Sequence, residues 1–214
     1  MSVLIFANGE MSDVCWTRPF LQEATFIIAA DGGCRHLYRL QWQPDVVIGD
    51  MDSLPAEVLT WLQTCAVDMR HHDPVKDETD LELALLYARK FDEDILLFGM
   101  LGGRVDQMLA NVLLLAHPHL HDSSIQLVEE YERAWLITAR SRIWGQPGDT
   151  ISLIPIGGDV LVRATVGLRW PLANSVLIFG EARGVSNVMT AVSATVDVAS
   201  GQLLCIHTLD HKKR

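Results

Sequence analysis

Pro44-Asp45-Val46-Val47-Ile48-Gly49-Asp50-Met51-Asp52-Ser53 sets a short apolar run directly against a loop carrying two carboxylates two residues apart. A run without polar alternation reads as a strand buried on both faces, the kind that helices cover in a parallel sheet. The same pattern recurs on either side. Phe26 to Ala30 runs into Asp31-Gly32-Gly33, Val3 to Ala7 opens the chain, and Ile95 to Phe98 and Ile125 to Val128 follow, with a weaker run near Val67. Helical patterns separate these runs. Thr79-x-x-Glu82 followed by Leu83, Leu86 and Tyr87 predicts a capping box and an apolar face, with Arg89 and Lys90 at the negative end of the dipole. Met108, Leu109, Val112, Leu113 and Leu115 predict a second helix over roughly 105–116, ended by Pro118. Strand and helix in alternation imply an α/β domain with a Rossmann-like, mostly parallel sheet over residues 1–130.

Beyond residue 130 the pattern changes. Short strand-like segments around Trp135 to Thr138, Thr150 to Pro155, Asp159 to Val162, Val192 to Val198 and Leu203 to His207 alternate with turn signals at Gln146-Pro147-Gly148-Asp149, Ile156-Gly157-Gly158-Asp159 and Ser200-Gly201. Residues 131–214 therefore read as an all-β sandwich. Charge divides at the same place: residues 1–130 hold 21 acids and 8 bases, residues 131–214 hold 6 and 9.

A net charge of −10 argues against a nucleic-acid partner, because phosphate backbones are held by surplus Lys and Arg. No apolar stretch approaches the roughly 20 residues that span a bilayer, and the opening residues lack the basic and apolar regions of a signal peptide. Cys15, Cys34, Cys65 and Cys205 are dispersed and form no C-x-x-C pair, as expected of reduced thiols in a cytoplasmic protein. His117, His119 and His121 alternate past a helix with few partner ligands, and read as a solvated loop rather than a metal site.

The chemistry gathers at strand ends, where an open α/β sheet places its ligand crevice. Asp31, Asp50 and Asp52 follow strands; Asp77 and Asp80 flank one helix start, and Asp106 opens another. Asp50 and Asp52, at i and i+2 in a loop, suit a hard cation such as Mg2+, which takes a few carboxylate oxygens plus waters and phosphates. So acidic a half-chain would repel a polyphosphate unless divalent cations intervened. Gly32, Gly33, Gly102, Gly103 and Arg104 supply the backbone N–H groups and the forked cation that phosphates need. Asp80 and Asp106 in first helical turns also satisfy the dipole alone, and Thr79 and Glu82 also satisfy a capping box alone. Neither a Walker A sequence, a G-x-G-x-x-G fingerprint nor a G-x-S-x-G elbow is present.

Taken in order, Ala30-Asp31-Gly32-Gly33, the 44–53 stretch, Asp77-Glu78-Thr79-Asp80 and Gly102-Gly103-Arg104-Val105-Asp106-Gln107 resemble the thiamin pyrophosphokinase family. The likeness continues through Gly167-Leu168-Arg169-Trp170-Pro171-Leu172 and Gly184-Val185-Ser186-Asn187. The resemblance implies an N-terminal ATP-binding domain, a C-terminal thiamin-binding sandwich, and a homodimer with thiamin where subunits meet. It implies Mg2+ on Asp50, Asp52 and Asp80; nucleotide contacts from Asp31, Gly32, Gly33, Ser53, Thr79, Gly102 and Gly103; catalytic roles for Arg104 and Asp106 beside the metal group; and thiamin contacts from Asp106, Gln107, Trp170, Ser186 and Asn187. Trp170, beside Pro171, reads equally as a core ring. Many bacterial members have His in place of Gln107 and Glu in place of Val188, so the polar lining of the thiamin pocket differs here. The implied reaction moves the β,γ-diphosphate of ATP to the hydroxyethyl oxygen of thiamin, with Asp80 or Asp106 accepting the proton. The alternatives are a diphosphokinase or phosphohydrolase acting on another small alcohol or nucleotide, and a non-catalytic nucleotide- or thiamin-binding protein.

Overall fold

The computed structural model describes residues 1–52, 54–65, 67–73 and 77–210. The chain forms two compact units, Met1–Glu130 and Tyr131–Arg214. In the first, the described residues form six parallel strands, β1 (Ser2–Phe6), β2 (Ala24–Ala30), β3 (Val46–Gly49), β4 (Asp68–His71), β5 (Asp94–Phe98) and β6 (Ile125–Val128). Their spatial order is β6-β5-β1-β2-β3-β4. The apolar runs become strands because they are buried on both faces: Val3 to Phe6 and Ile95, Leu97 and Phe98 are fully buried. Phe6 and Phe98 lie opposite each other in register and stack with ring centroids 5.0 Å apart. Among the described residues, five α-helices lie between or beside the strands: α1 (Arg18–Glu23), α2 (Cys34–Leu40), α3 (Ala56–Thr64), α4 (Asp80–Ala88) and α5 (Val105–Leu113).

This strand order has a consequence for binding. The chain runs outward from β1 to β4 and then returns to the other side of β1 to lay down β5. The order therefore reverses between β1 and β5, and the loops after these two strands diverge to leave a crevice at their carboxyl ends.

The N-cap half of the predicted capping box is present, with Thr79 Oγ1 accepting from Glu82 N at 3.2 Å at the start of α4, while the Glu82 carboxylate lies 3.2 Å from His117 Nε2. The second predicted helix is α5 followed by a 3-10 turn over Leu114–Ala116. Its apolar face is mostly uncovered: only Leu115 is buried, while Val105, Leu109 and Leu113 stand at 72, 58 and 47% exposure.

The second unit is strand-rich: β7 (Glu132–Ile137), β8 (Arg140–Trp144), β9 (Thr150–Val166), β10 (Ala173–Leu177), β11 (Asn187–Val188) and β12 (Ser193–Thr208). Each of two pairs of predicted strands is one long strand. Gly157-Gly158 and Ser200-Gly201, read from sequence as turns, lie inside β9 and β12, where the register shifts and the strands continue. Glycines at such points relieve the bend of a bulge. A Cβ on Gly201, whose φ is +90°, would come within 2.8 Å of Asp159 O. The first half of β9 pairs with β11 and the second half of β12, which also pairs with β7; the second half of β9 pairs with β10 and the first half of β12, which also pairs with β8. Two layers result, with Ile137, Ile143, Ile151, Leu153, Val160, Val196 and Leu203 in the shared core. Among the described residues no helix is long and apolar enough to cross a membrane.

Candidate active site

In the first unit the carboxylates converge at the carboxyl edge of the sheet. Oxygens of Asp31, Asp50 and Asp52 all lie within 4.8 Å of one another. β2 delivers Asp31 and β3 delivers the other two. Asp31 and Met51 adopt φ of +42° and +65°, a region costly for residues with a Cβ, so the chain turns sharply at both strand exits. Met51 itself is buried and anchors the turn from beneath. Asp52 N–H donates to Asp50 Oδ1 at 3.2 Å. A side-chain hydrogen bond with Asp50 and the Asp50 charge push the Asp52 carboxyl above the ordinary carboxylate range, with burial and the charges of Asp31 and Asp80 adding to the effect. Crowded like charges of this kind are relieved by a bound cation, and an all-oxygen donor set suits a hard one.

Asp31 joins Asp50 and Asp52 in this group, next to the Asp80 that the family resemblance implies as a metal ligand. Asp80, first residue of α4, borders the cluster from the next loop: a Cβ on Gly49 would sit 2.8 Å from Asp31 Cβ and 3.2 Å from Asp80 Cγ. Ser53, expected near the phosphates, lies outside the described residues.

A cleft of about 420 Å3 opens beside the carboxylates, lined by Asn8, Gly9, Asp31, Thr79, Asp80, Gly102, Gly103, Arg104, Asp106, Gln107 and Asn111 among others. It occupies the switch point between β1 and β5. Gly102 and Gly103, at φ of +83° and +73°, make a turn that side-chain-bearing residues resist. Arg104 and Asp106 form a two-point pair at the mouth, Nε to Oδ1 at 3.1 Å and Nη2 to Oδ2 at 2.6 Å. The pairing holds the Arg104 guanidinium above, and the Asp106 carboxyl below, its ordinary pKa. Sequence reasoning treated these two as separate contacts; they form one unit. It also passed over Asn8, Gly9 and Asn111. Asn8-Gly9 carried the same signal as the other loops, polar residues straight after an apolar strand, but no charge to mark it. Asn111 Nδ2 donates to Met100 O at 3.1 Å and steadies the loop after β5.

In the second unit Trp170, Ser186 and Asn187 come together. Asn187 Oδ1 accepts from Trp170 N at 3.0 Å and its Nδ2 donates to Trp170 O at 2.7 Å, so one side-chain amide brackets one peptide. Ser186 has φ of +61°, and its N–H donates to Ser152 Oγ at 3.0 Å. Trp170 is no core residue: it is 56% exposed, with the Arg169 guanidinium 5.3 Å from the ring centroid. Val188, where a polar contact was expected to be lost, is half-buried.

A family model described as the thiamin pyrophosphokinase catalytic domain matches residues 17–128, and one described as the thiamin pyrophosphokinase vitamin B1 binding domain matches residues 140–203. Among curated proteins, the chain is 31% identical to thiamine pyrophosphokinase 1 of Arabidopsis thaliana over 88% of this chain and 80% of that one. Among solved structures, thiamine pyrophosphokinase of Bacillus subtilis superposes with a TM-score of 0.89 at 26% identity, covering 98% of this chain and all of that one. The Geobacillus thermodenitrificans enzyme superposes at 0.87 with 28% identity and 99% coverage of both. With a catalytic model spanning more than half its length and a relative above 30% identity along most of it, the chain belongs to the thiamin pyrophosphokinase family.

Proposed function

We propose that the protein transfers the β,γ-diphosphate of ATP to the hydroxyethyl oxygen of thiamin, giving thiamin diphosphate and AMP, with Mg2+ held by Asp31, Asp50 and Asp52 and bordered by Asp80. The observation that carries this reading is the convergence of three carboxylates beside the switch-point cleft. An ion bound there would neutralise phosphate charge. The turn at Gly102-Gly103 offers backbone N–H groups to the phosphates, and Arg104, fixed by Asp106, brings a permanent cation to the charge that builds up at transfer. Thr79 Oγ1 accepts the α4 cap bond, which leaves its O–H proton to donate to a phosphate oxygen. Asp80, at the cleft and inside the first turn of α4, accepts the hydroxyl proton late in the reaction; Asp106, already committed to Arg104, is the poorer base.

Thiamin binding falls to the second unit, in line with the description of the model matching it. The exposed face of Trp170, its peptide bracketed by Asn187, supplies a stacking surface, and Ser186 supplies a polar contact. The uncovered Val105, Leu109 and Leu113 support a homodimer with thiamin bound where subunits meet, and the free, dispersed cysteines suit a cytoplasmic setting. The decisive experiment incubates the protein with ATP, Mg2+ and thiamin and identifies products. AMP with thiamin diphosphate is expected; ADP with thiamin monophosphate, or no thiamin product, refutes the reading. Light scattering on a sizing column tests the dimer.

A further inference from the structure

The loop after β1 is gripped from behind by α2. Arg35 Nη2 donates to Asn8 O at 2.9 Å and Gly9 O at 2.7 Å, His36 Nε2 meets Gly9 O at 2.9 Å, and Arg39 donates through Nη1 to Met11 O at 2.6 Å and through Nη2 to Ser12 O at 2.7 Å. Five bonds from one short helix thus hold four carbonyls of a five-residue loop. The loop's N–H groups face the other way: Gly9 N donates to Gly99 O at 2.7 Å and Glu10 N to Leu101 O at 2.9 Å. Residues 8–12 are therefore the middle of a strap from α2 to the segment ending at Gly102-Gly103-Arg104.

Nothing in the strap has slack. A Cβ on Gly9 would overlap Gly99 O and Leu101 O, and one on Gly102 would come 2.9 Å from Glu10 Cβ. Asn8, at the start of the loop, packs its side chain against Gly32 in the phosphate cleft, where any Cβ on Gly32 would overlap it. Arg35, His36 and Arg39 do not line that cleft; they border a separate hollow behind it with Glu10, Met11 and Ser12.

His36 defines how the grip works chemically. Its ring is 1% exposed, and Nδ1 has no hydrogen-bond partner among the described residues. Burial first, and the Arg35 charge second, push its pKa down to about 4, so the ring is neutral at physiological pH. A carbonyl only accepts, so the ring's proton sits on Nε2 and donates to Gly9 O. A neutral donor between two guanidinium groups adds a bond without adding a third like charge.

We propose that Arg35, His36 and Arg39 are positioning residues: they set Asn8 and the Gly102-Gly103-Arg104 turn in the geometry that receives the triphosphate, without touching it. The proposal rests on the nucleotide reading of the cleft given above. Calorimetric titration with ATP and Mg2+ at a temperature well below unfolding, together with amide hydrogen exchange, tests it on wild type, Arg39→Met, His36→Phe and His36→Gln. Losing the two bonds of Arg39 or the one of His36 to the loop is expected to raise Kd and KM for ATP about tenfold or more in Arg39→Met and His36→Phe, with KM for thiamin within about twofold of wild type. Exchange at Gly9 and Glu10 N–H should accelerate in both. His36→Gln, which places an amide donor near the Nε2 position, should recover most of the affinity. Folded variants that bind ATP as wild type does, with unchanged exchange at Gly9 and Glu10, overturn the proposal. A wild type that binds no ATP sinks the nucleotide reading instead. Should the larger changes prevent folding, Arg35→Lys and Arg39→Lys replace them, judged by the same two readouts.

Discussion

Acid should weaken this protein through His36 in a window set by one ring. In an unfolded chain the ring titrates near its ordinary 6.5, whereas in the folded unit its pKa is about 4. Between those values the unfolded chain takes up a proton that the folded one refuses. Stability is therefore fully present above about pH 6.5, falls as pH drops through the window, and levels off below about 4. The whole window is worth about 3 kcal/mol, and a descent from pH 7 to 4.5 about 2 kcal/mol, at 1.36 kcal/mol per pH unit of displacement. Against a typical domain stability of about 5–15 kcal/mol that is a large share. Urea unfolding followed by tryptophan fluorescence at pH 7 and 4.5 is the assay, since Trp16, Trp42 and Trp61 pack against the core that α2 shares. With a urea slope near 2 kcal/mol/M, the wild-type midpoint should fall by about 1 M more than that of His36→Gln, which has no ring to protonate. Equal losses in the two proteins would show that His36 is not the group being protonated, and the assignment of a neutral, Nε2-protonated ring would go with it.

Four further outcomes are expected. Asp52→Asn and Asp80→Asn should each lower turnover at saturating Mg2+ by about 100-fold or more, as loss of preorganised charge at a phosphate site does; near wild-type turnover would remove those residues from the metal and base roles. Asn187→Ala should free the Trp170 peptide and raise KM for thiamin about tenfold while leaving KM for ATP unchanged, read from initial rates with each substrate varied. Asp149 is buried and accepts from Gln146 N, Asp210 N and His207 Nε2, each at 2.9 Å; burial works to raise its pKa, but these bonds outweigh it and hold the carboxyl low. Asp149→Ala, which strands all three donors, should destabilise the second unit by about 3 kcal/mol in chemical denaturation. Gly33→Ala would drive a Cβ into Phe6 O, a backbone atom that cannot swing aside, so thermal unfolding should reveal a loss of about 3 kcal/mol or more.

Part of this architecture was open to view in the chain. Buried strands announce themselves when they are uninterrupted apolar runs, and β2, β3, β5 and β6 were bounded to within a couple of residues because a polar loop follows each. The α4 start was legible because an N-cap Thr bonds an N–H three residues along, a local circuit. Sequence reading faltered where meaning depends on a partner. Gly157-Gly158 and Ser200-Gly201 have turn composition, yet each strand has a neighbour to hold it through the bend, so they became bulges. The short strands β8, β10 and β11 carry little periodicity of their own and exist through pairing with β9 and β12. Helices α1 and α3 were missed because their weakly patterned sequences owe their form to the core they cover.

The chemistry is written along the chain: which residues carry charge, that Asp50 and Asp52 sit two apart after a buried strand, and that a glycine pair precedes Arg104. These are properties of neighbours along the chain. Which loops meet depends on how the sheet is assembled. Strand order is absent from local sequence, and it is the return of β5 to the far side of β1 that puts the uncharged Asn8-Gly9 loop opposite Gly102-Gly103. Convergence of separate strand ends likewise placed Asp31 within 4.8 Å of Asp50 and Asp52 and brought Asp80 to their border. Distance in space between groups far apart in sequence is set by packing of the whole sheet, which no local pattern encodes.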